Sequence, residues 1–196
     1  MDQPDILLTN DDGIDSVGFR ALYDALSSVA DVTAVAPAED KSAVGRQLST
    51  DVLVEEHPLG YAIHGTPADC TVVGLESLCP DVDMVVAGCN KGANLGAYVL
   101  GRSGTVSAAV EAAFFDVPAI AVSLYVPGGD RPWEELATAP EDFEPATDAA
   151  RYLVTHALEA GVFEGADYLN VNAPLDAVDE PEMRITVPST MYDMTA

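Results

Sequence analysis

Residues 5–15 read DILLTNDDGID, and this stretch decides the fold. Asp5 leads into Ile6, Leu7, Leu8 and Thr9, an unbroken apolar run with no polar alternation, as a strand covered on both faces requires. The run stops at Asn10, Asp11, Asp12 and Gly13, which are turn-forming residues. In open α/β sheets, ligands bind just beyond the carboxyl ends of strands, so this ending is a candidate site. Two adjacent carboxylates repel each other there, and solvent, a basic side chain or a metal ion must compensate them.

The same grammar recurs along the chain. DVTAVA (31–36), VDMVVA (82–87), VPAIAVSL (117–124) and ADYLNVN (166–172) read as further strands. Residues 16–29, 67–78, 103–115 and 144–160 read as helices, the third with Val106, Ala109, Val110 and Ala113 at i, i+3, i+4 and i+7. Pro67 suits a first helical turn, and Asp15 or Ser16 is placed to cap the first helix. Strand–helix alternation predicts an α/β fold, a Rossmann-like three-layer sandwich with a mainly parallel sheet. Residues 51–65 (DVLVEEH and YAIHG) suggest a small β-hairpin extension, and Val126–Glu144, rich in Pro, Gly and acids, a surface loop. At 196 residues, one domain over 1–196 is expected.

Charge narrows the function classes. There are 33 Asp and Glu against 8 Lys and Arg, a net charge of −25, and only Lys41 and Lys91 are lysines. Acids are spread over both halves, so the whole surface is acidic, a pattern suited to concentrated salt. Phosphate-backbone binding to nucleic acid is disfavoured for want of a basic patch. No apolar run reaches a membrane span, and the amino terminus does not read as a signal peptide, which points to the cytoplasm. Cys70, Cys79 and Cys89 lack C-x-x-C spacing and read as reduced thiols. His57, His64 and His156 fall in no motif.

Four loops follow the strand ends. In the first, Asp11 and Asp12 are hard oxygen ligands for a divalent ion, or else an acidic turn. The second, APAEDKSAVG, offers Ser42 as a neutral oxygen and Lys41 as a cation. The third, AGCNKGANLG, brings Asn90, Gly92 and Asn94 to a flexible loop able to turn backbone N–H groups toward an anion. It is neither G-x-G-x-x-G nor a Walker loop. The fourth, GRSGTVS, sets Ser103, Gly104 and Thr105 at a helix start, where free N–H groups favour phosphate or a serine simply caps the helix. A D-x-D aspartyl phosphatase is disfavoured because these acids are adjacent. One hard-metal site and two anion-cradling loops suggest metal-assisted chemistry on a phosphate.

In this order, ILLTNDDGIDSVG, VAPAEDKSAVG, GTPADC, VVAGCNKGANLG, SGTVSAAVEAA and YLNVNAP closely resemble the SurE family, the stationary-phase survival protein E nucleotidases. The resemblance runs from residue 6 to about 174, and with the acidic surface it suggests a halophilic archaeal member. It implies a phosphatase hydrolysing nucleoside 5′- and 3′-monophosphates with one divalent ion, Mg or Mn. The alternative is a nucleotide-binding module with weak or no catalysis. By resemblance the metal is held by Asp11, Asp12, Ser42 and Asn90, with Asp11 and Asp12 catalytic. Asn10, Lys41, Gly92, Asn94, Ser103, Gly104 and Thr105 then match the phosphate site. The family also implies a homodimer or homotetramer built partly through a C-terminal arm, which would lie beyond PSTMYDMTA.

Overall fold

Successive residues of a strand face opposite ways, so a strand apolar at every position needs a layer on each side. β1 (Asp5–Thr9) meets that demand: Ile6 and Leu8 enter one core, and Leu7 enters the other. All three are essentially inaccessible to water. Burying each contributes about 2 kcal/mol of hydrophobic stabilisation.

A computed structural model describes residues 3–127, 132–176 and 181–191. After β1 come α1 (Val17–Leu26), β2 (Asp31–Pro37), β3 (Val54–His57), β4 (Gly60–Ile63), α2 (Pro67–Val73) and β5 (Met84–Lys91). α3 (Ala97–Leu100), α4 (Gly104–Phe114), β6 (Ala119–Tyr125), α5 (Glu144–His156) and β7 (Tyr168–Pro174) complete the order. The strands form one sheet ordered β3-β4-β2-β1-β5-β6-β7, parallel throughout except where β3 runs against β4. The same alternation recurs in β5, where Met84 and Val86 join Ile6, and Val85 joins Leu7.

Phe19, Leu22 and Leu26 of α1 and Ala146, Ala150 and Val154 of α5 cover one face. Cys70 of α2 and Val106, Ala109 and Ala112 of α4 cover the other. The expected three-layer sandwich is therefore observed. The hairpin is present too, with β4 hydrogen-bonded to β2, so it extends the edge of the main sheet.

Several boundaries differ from the sequence reading, each for a local reason. The predicted helix 67–78 is an α-helix only to Val73 and then widens into a π turn over Gly74–Leu78. Its start is fixed by Thr66, which accepts the Asp69 N–H while the Asp69 carboxylate accepts the Thr66 N–H, with Pro67 following. Within the region read as a surface loop lie short 3-10 turns at Trp133–Glu135 and Pro140–Phe143, and Phe143 is buried under α1 and α5. Residues 128–131 of that loop lie outside the described residues.

β5 also runs past the expected end at residue 87. Asn90, expected beyond the strand, is inside it and pairs with Ser123 of β6. A register shift between Ala87 and Asn90, with Gly88 at φ 140°, interrupts the ladder and lets it resume.

Candidate active site

From β1 the chain crosses by α1 to β2 on one side, and β5 takes the other side of β1. The carboxyl ends of β1 and β5 therefore diverge at a topological switch point, where a crevice opens. The first and third loops leave from those two strands.

Asn10 is fully buried and donates its side-chain amide to the Gly13 carbonyl at 2.8 Å and to Ser16 Oγ at 3.1 Å. Ser16 stands at the N-cap of α1 without capping it by a side-chain bond. Asn10 thus ties the turn to the helix that follows; of Asp15 and Ser16, the expected caps, Ser16 holds the position, and its hydroxyl accepts from Asn10. Gly13, at φ 94°, brings loop one against the backbone of Glu39, where an added Cβ would lie 3.3 Å from that carbonyl carbon. Lys41 N–H donates to the Asp11 carbonyl at 2.7 Å and joins loop two to the same point. The Lys41 ammonium lies 3.9 Å from Glu39, and Ser42 is exposed with its N–H on Asp40.

The two acids are compensated differently. Asp11 is 4% exposed, and its Oδ1 accepts the Thr105 hydroxyl at 2.6 Å. The Thr105 backbone N–H and the Asp11 N–H also bond this carboxylate. Gly104 lies so near that a Cβ there would sit 2.6 Å from Asp11 Cβ. Asp11 therefore occupies the first turn of α4, where the free N–H groups and helix dipole favour an anion. Burial still drives its pKa upward against those bonds.

Asp12 accepts the Lys91 backbone N–H on Oδ2 at 3.1 Å. Desolvation first, and the neighbouring Asp11 charge second, raise its pKa to about 7. Asp40 adds a smaller push on both. Asp11 thus receives more protein hydrogen bonds than Asp12, yet burial disfavours the charged form of both.

Ser103 caps α4, accepting the Val106 N–H at 3.0 Å, and Thr105 is wholly buried with its hydroxyl committed to Asp11. Both side chains, expected at the phosphate, make bonds within the protein, one starting the helix and the other orienting a carboxylate. In the third loop, Asn90 donates its amide to the Gly92 carbonyl, while the Gly92 N–H reaches Leu124 at 3.0 Å. Asn94 is 5% exposed, donates to Ser123 Oγ at 2.9 Å, receives Asn170 Nδ2 on its carbonyl at 2.9 Å and gives its N–H to Asn172 Oδ1 at 2.8 Å. Loop three is thereby pinned to the ends of β6 and β7.

Ser123, Asn170, Asn172 and the Lys91 N–H were not among the expected site residues. The period-two spacing of Asn170 and Asn172 in YLNVNAP, which sets both on one face of a strand, was the available signal. The histidines lie elsewhere: His57 and His64 in and beside the hairpin near Asp15 and Glu55, and His156 against the Tyr152 ring. Cys70 and Cys89 are buried and Cys79 half-buried, all free thiols raised by burial, Cys79 to about 11. No helix among the described residues is long and apolar enough to cross a membrane.

The donor set fits a hard divalent cation. Two raised carboxylates stand side by side, the amide carbonyl end of Asn90 and the Ser42 hydroxyl belong to adjoining loops, and buried Asn10 Oδ1 has no partner.

The survival protein SurE family model matches residues 6–193. The 5′-nucleotidase SurE of Haloquadratum walsbyi is 65% identical over 192 residues, covering 97% of this chain and 72% of that protein. The 5′-nucleotidase SurE of Natronomonas pharaonis is 66% identical over 191 residues, with 97% and 74% covered. The crystal structure of the SurE protein from Aquifex aeolicus superposes with a TM-score of 0.71 at 34% identity, covering 87% of this chain and 66% of that one. The chain thus spans about two thirds of the solved protein's length.

Proposed function

This chain belongs to the SurE family, and on that premise we propose that it hydrolyses nucleoside 5′-monophosphates, and 3′-monophosphates, to nucleoside and phosphate. The observation that carries the reading is the buried pair Asp11 and Asp12 at the switch point, one seated on the α4 N-terminus and the other left with a pKa of about 7. Residues 1–196 act in this reading as one nucleotidase unit.

Asp11, Asp12, Ser42 and Asn90 would hold one divalent ion, Mg or Mn. Bound there, such an ion neutralises the carboxylates and the phosphoryl oxygens and acidifies a water. Asp12, whose surroundings favour its protonated form, takes the proton as a water oxygen attacks phosphorus. The phosphorus–ester bond breaks, and the leaving alkoxide takes up that proton from Asp12 to become the nucleoside hydroxyl, which returns Asp12 to its starting form. Asp11, held by Thr105, does not move. Loop three, with Gly92 and Asn94, and the α4 start at Gly104 would border the phosphoryl group, with Lys41 at the rim. Asn10, Ser103 and Thr105 support that arrangement from behind.

A dimer or tetramer and a cytoplasmic location belong to the same reading. It is supported by the exposed apolar side chains Leu48, Leu53 and Phe114 and by three free cysteines, at home in a reducing compartment. The test is phosphate release from a panel of nucleoside monophosphates in molar KCl, with and without EDTA, alongside size-exclusion chromatography. EDTA is expected to abolish release, as is Asp11→Asn. Undiminished turnover in either case overturns the assignment.

A further inference from the structure

Cations are scarce in this chain, and their disposition is uneven. Four of the 8 lysines and arginines, Lys41, Arg46, Lys91 and Arg102, lie on the converging loops or at the strand end that leads into one. Among the described residues, Arg20, Arg46, Arg151 and Arg184 each pair with a carboxylate, on Asp15, Glu111, Asp148 and Glu182 respectively. Arg102 pairs with none. Its guanidinium lies over the Tyr98 ring, 4.6 Å from the centroid, and is exposed.

In so acidic a chain, a guanidinium paired with no carboxylate among the described residues and stacked on a half-buried ring is kept available in one orientation. Its surroundings are shaped as well. Residues 43–46 with Tyr98, Gly101 and Arg102 line an open cleft between loop two and the start of α4. Gly45 N–H bonds the Arg102 carbonyl at 3.2 Å and holds the two walls together. Ala43 adopts φ 60°, a left-handed conformation that costs an L-residue about 1–2 kcal/mol. Ala43 follows Ser42 directly, and Arg102 precedes Gly104, which touches Asp11, by two residues, about 7 Å of chain at most. Both walls of the cleft are therefore continuous in the chain with residues of the proposed nucleotidase site.

We propose that this cleft is a second anion site, in which Arg102 on its Tyr98 platform grips a phosphoryl group other than the one being hydrolysed. The favoured substrates are then nucleotides bearing two separate phosphates on one ribose, a nucleoside 3′,5′-bisphosphate being the simplest. A planar guanidinium binds phosphate through two parallel N–H bonds, and concentrated salt weakens such directed contacts less than it weakens long-range attraction. The same salt screens the −25 surface that would otherwise repel a doubly phosphorylated ligand. This inference rests on the nucleotidase reading for its substrate class, and the binding measurement keeps the two separable.

The test compares adenosine 3′,5′-bisphosphate with adenosine 5′-monophosphate, in wild type and in Arg102→Gln, in molar KCl. Calorimetry with EDTA present reads binding without turnover. About tenfold tighter binding of the bisphosphate by wild type is expected, and Arg102→Gln is expected to abolish that advantage. In turnover with the divalent ion added, the ratio of kcat/KM for bisphosphate over monophosphate should fall by the same factor of about ten. An unchanged ratio in Arg102→Gln, or equal binding of both nucleotides by wild type, overturns the second site. Preferential bisphosphate binding that depends on Arg102, with no release from any nucleotide, would uphold the second site and overturn the nucleotidase reading instead.

Discussion

Replacing Asp12 by Asn is expected to stabilise the metal-free protein while abolishing its activity. The carboxyl of Asp12 is shifted from 3.8 to about 7 by desolvation and by Asp11. Below the unfolded value both states carry the proton, and Asp12 costs nothing. As pH rises toward 7, the unfolded chain ionises first and stability drains away. Above 7 the folded protein must hold a charged Asp12, a penalty of about 4 kcal/mol on this shift. Asparagine carries no charge, matches the shape and can still accept the Lys91 N–H.

The assay is urea unfolding in molar KCl with EDTA, followed by far-UV circular dichroism. At about pH 8 the variant's midpoint should exceed wild type's by about 2 M, for a slope near 2 kcal/mol/M. At about pH 5.5 roughly half that advantage should remain, because only part of the titration has then been crossed. A divalent ion should raise the wild-type midpoint and leave the variant's almost unmoved. An advantage equal at both pH values, or a variant less stable than wild type at the higher one, refutes the view that Asp12 is a buried and poorly compensated charge.

Three further outcomes follow from the packing around the pair. Thr105→Val removes the hydroxyl that orients Asp11 and should cost about 1–3 kcal/mol in a chemical melt; phosphate release should fall at least about tenfold, with Thr105→Ser restoring most of both. Gly104→Ala adds a Cβ 2.6 Å from that of Asp11, so turnover should be lost although alanine favours helix by about 1 kcal/mol; wild-type turnover in this variant would mean that Asp11 need not stay where it is. Gly18→Ala sets a methyl 2.3 Å from the Cys89 carbonyl and 2.6 Å from the Phe143 ring, separating α1 from β5. A loss of about 1–3 kcal/mol is expected, read as a lower thermal midpoint.

The layer order was legible because β1, β5 and β6 are apolar at nearly every position, and only a sheet covered on both faces tolerates that. The convergence of the first four loops was legible because each follows a strand end or opens a helix. The exact end of β5 was not, because Gly88 interrupts the apolar run and resembles a loop start, whereas in three dimensions the ladder resumes at Asn90. The use of Thr105 was illegible for a different reason. Serine and threonine at a helix start suit a cap, a phosphate or a neighbouring carboxylate equally, and which one claims them depends on β1, 94 residues away in sequence. The Asn170–Asn94 tie spans 76 residues and was hidden in the same way.

The Thr105–Asp11 bond shows how the repulsion within TNDDG is handled. A helix N-terminus has only a few free N–H groups, and α4 spends them on one carboxylate and on its own cap, through Thr105 and Ser103. Asp11 and Asp12 are adjacent, yet they leave the turn in different directions, so Asp12 meets a single N–H from β5. Compensating both from the protein would have required a second helix end or a buried cation, and either would fill the crevice at the switch point. Leaving Asp12 undercompensated keeps that space open and makes the site itself the attractive place for a positive charge. The destabilisation of the metal-free protein and the affinity for a cation are then one quantity, which Asp12→Asn removes in a single change.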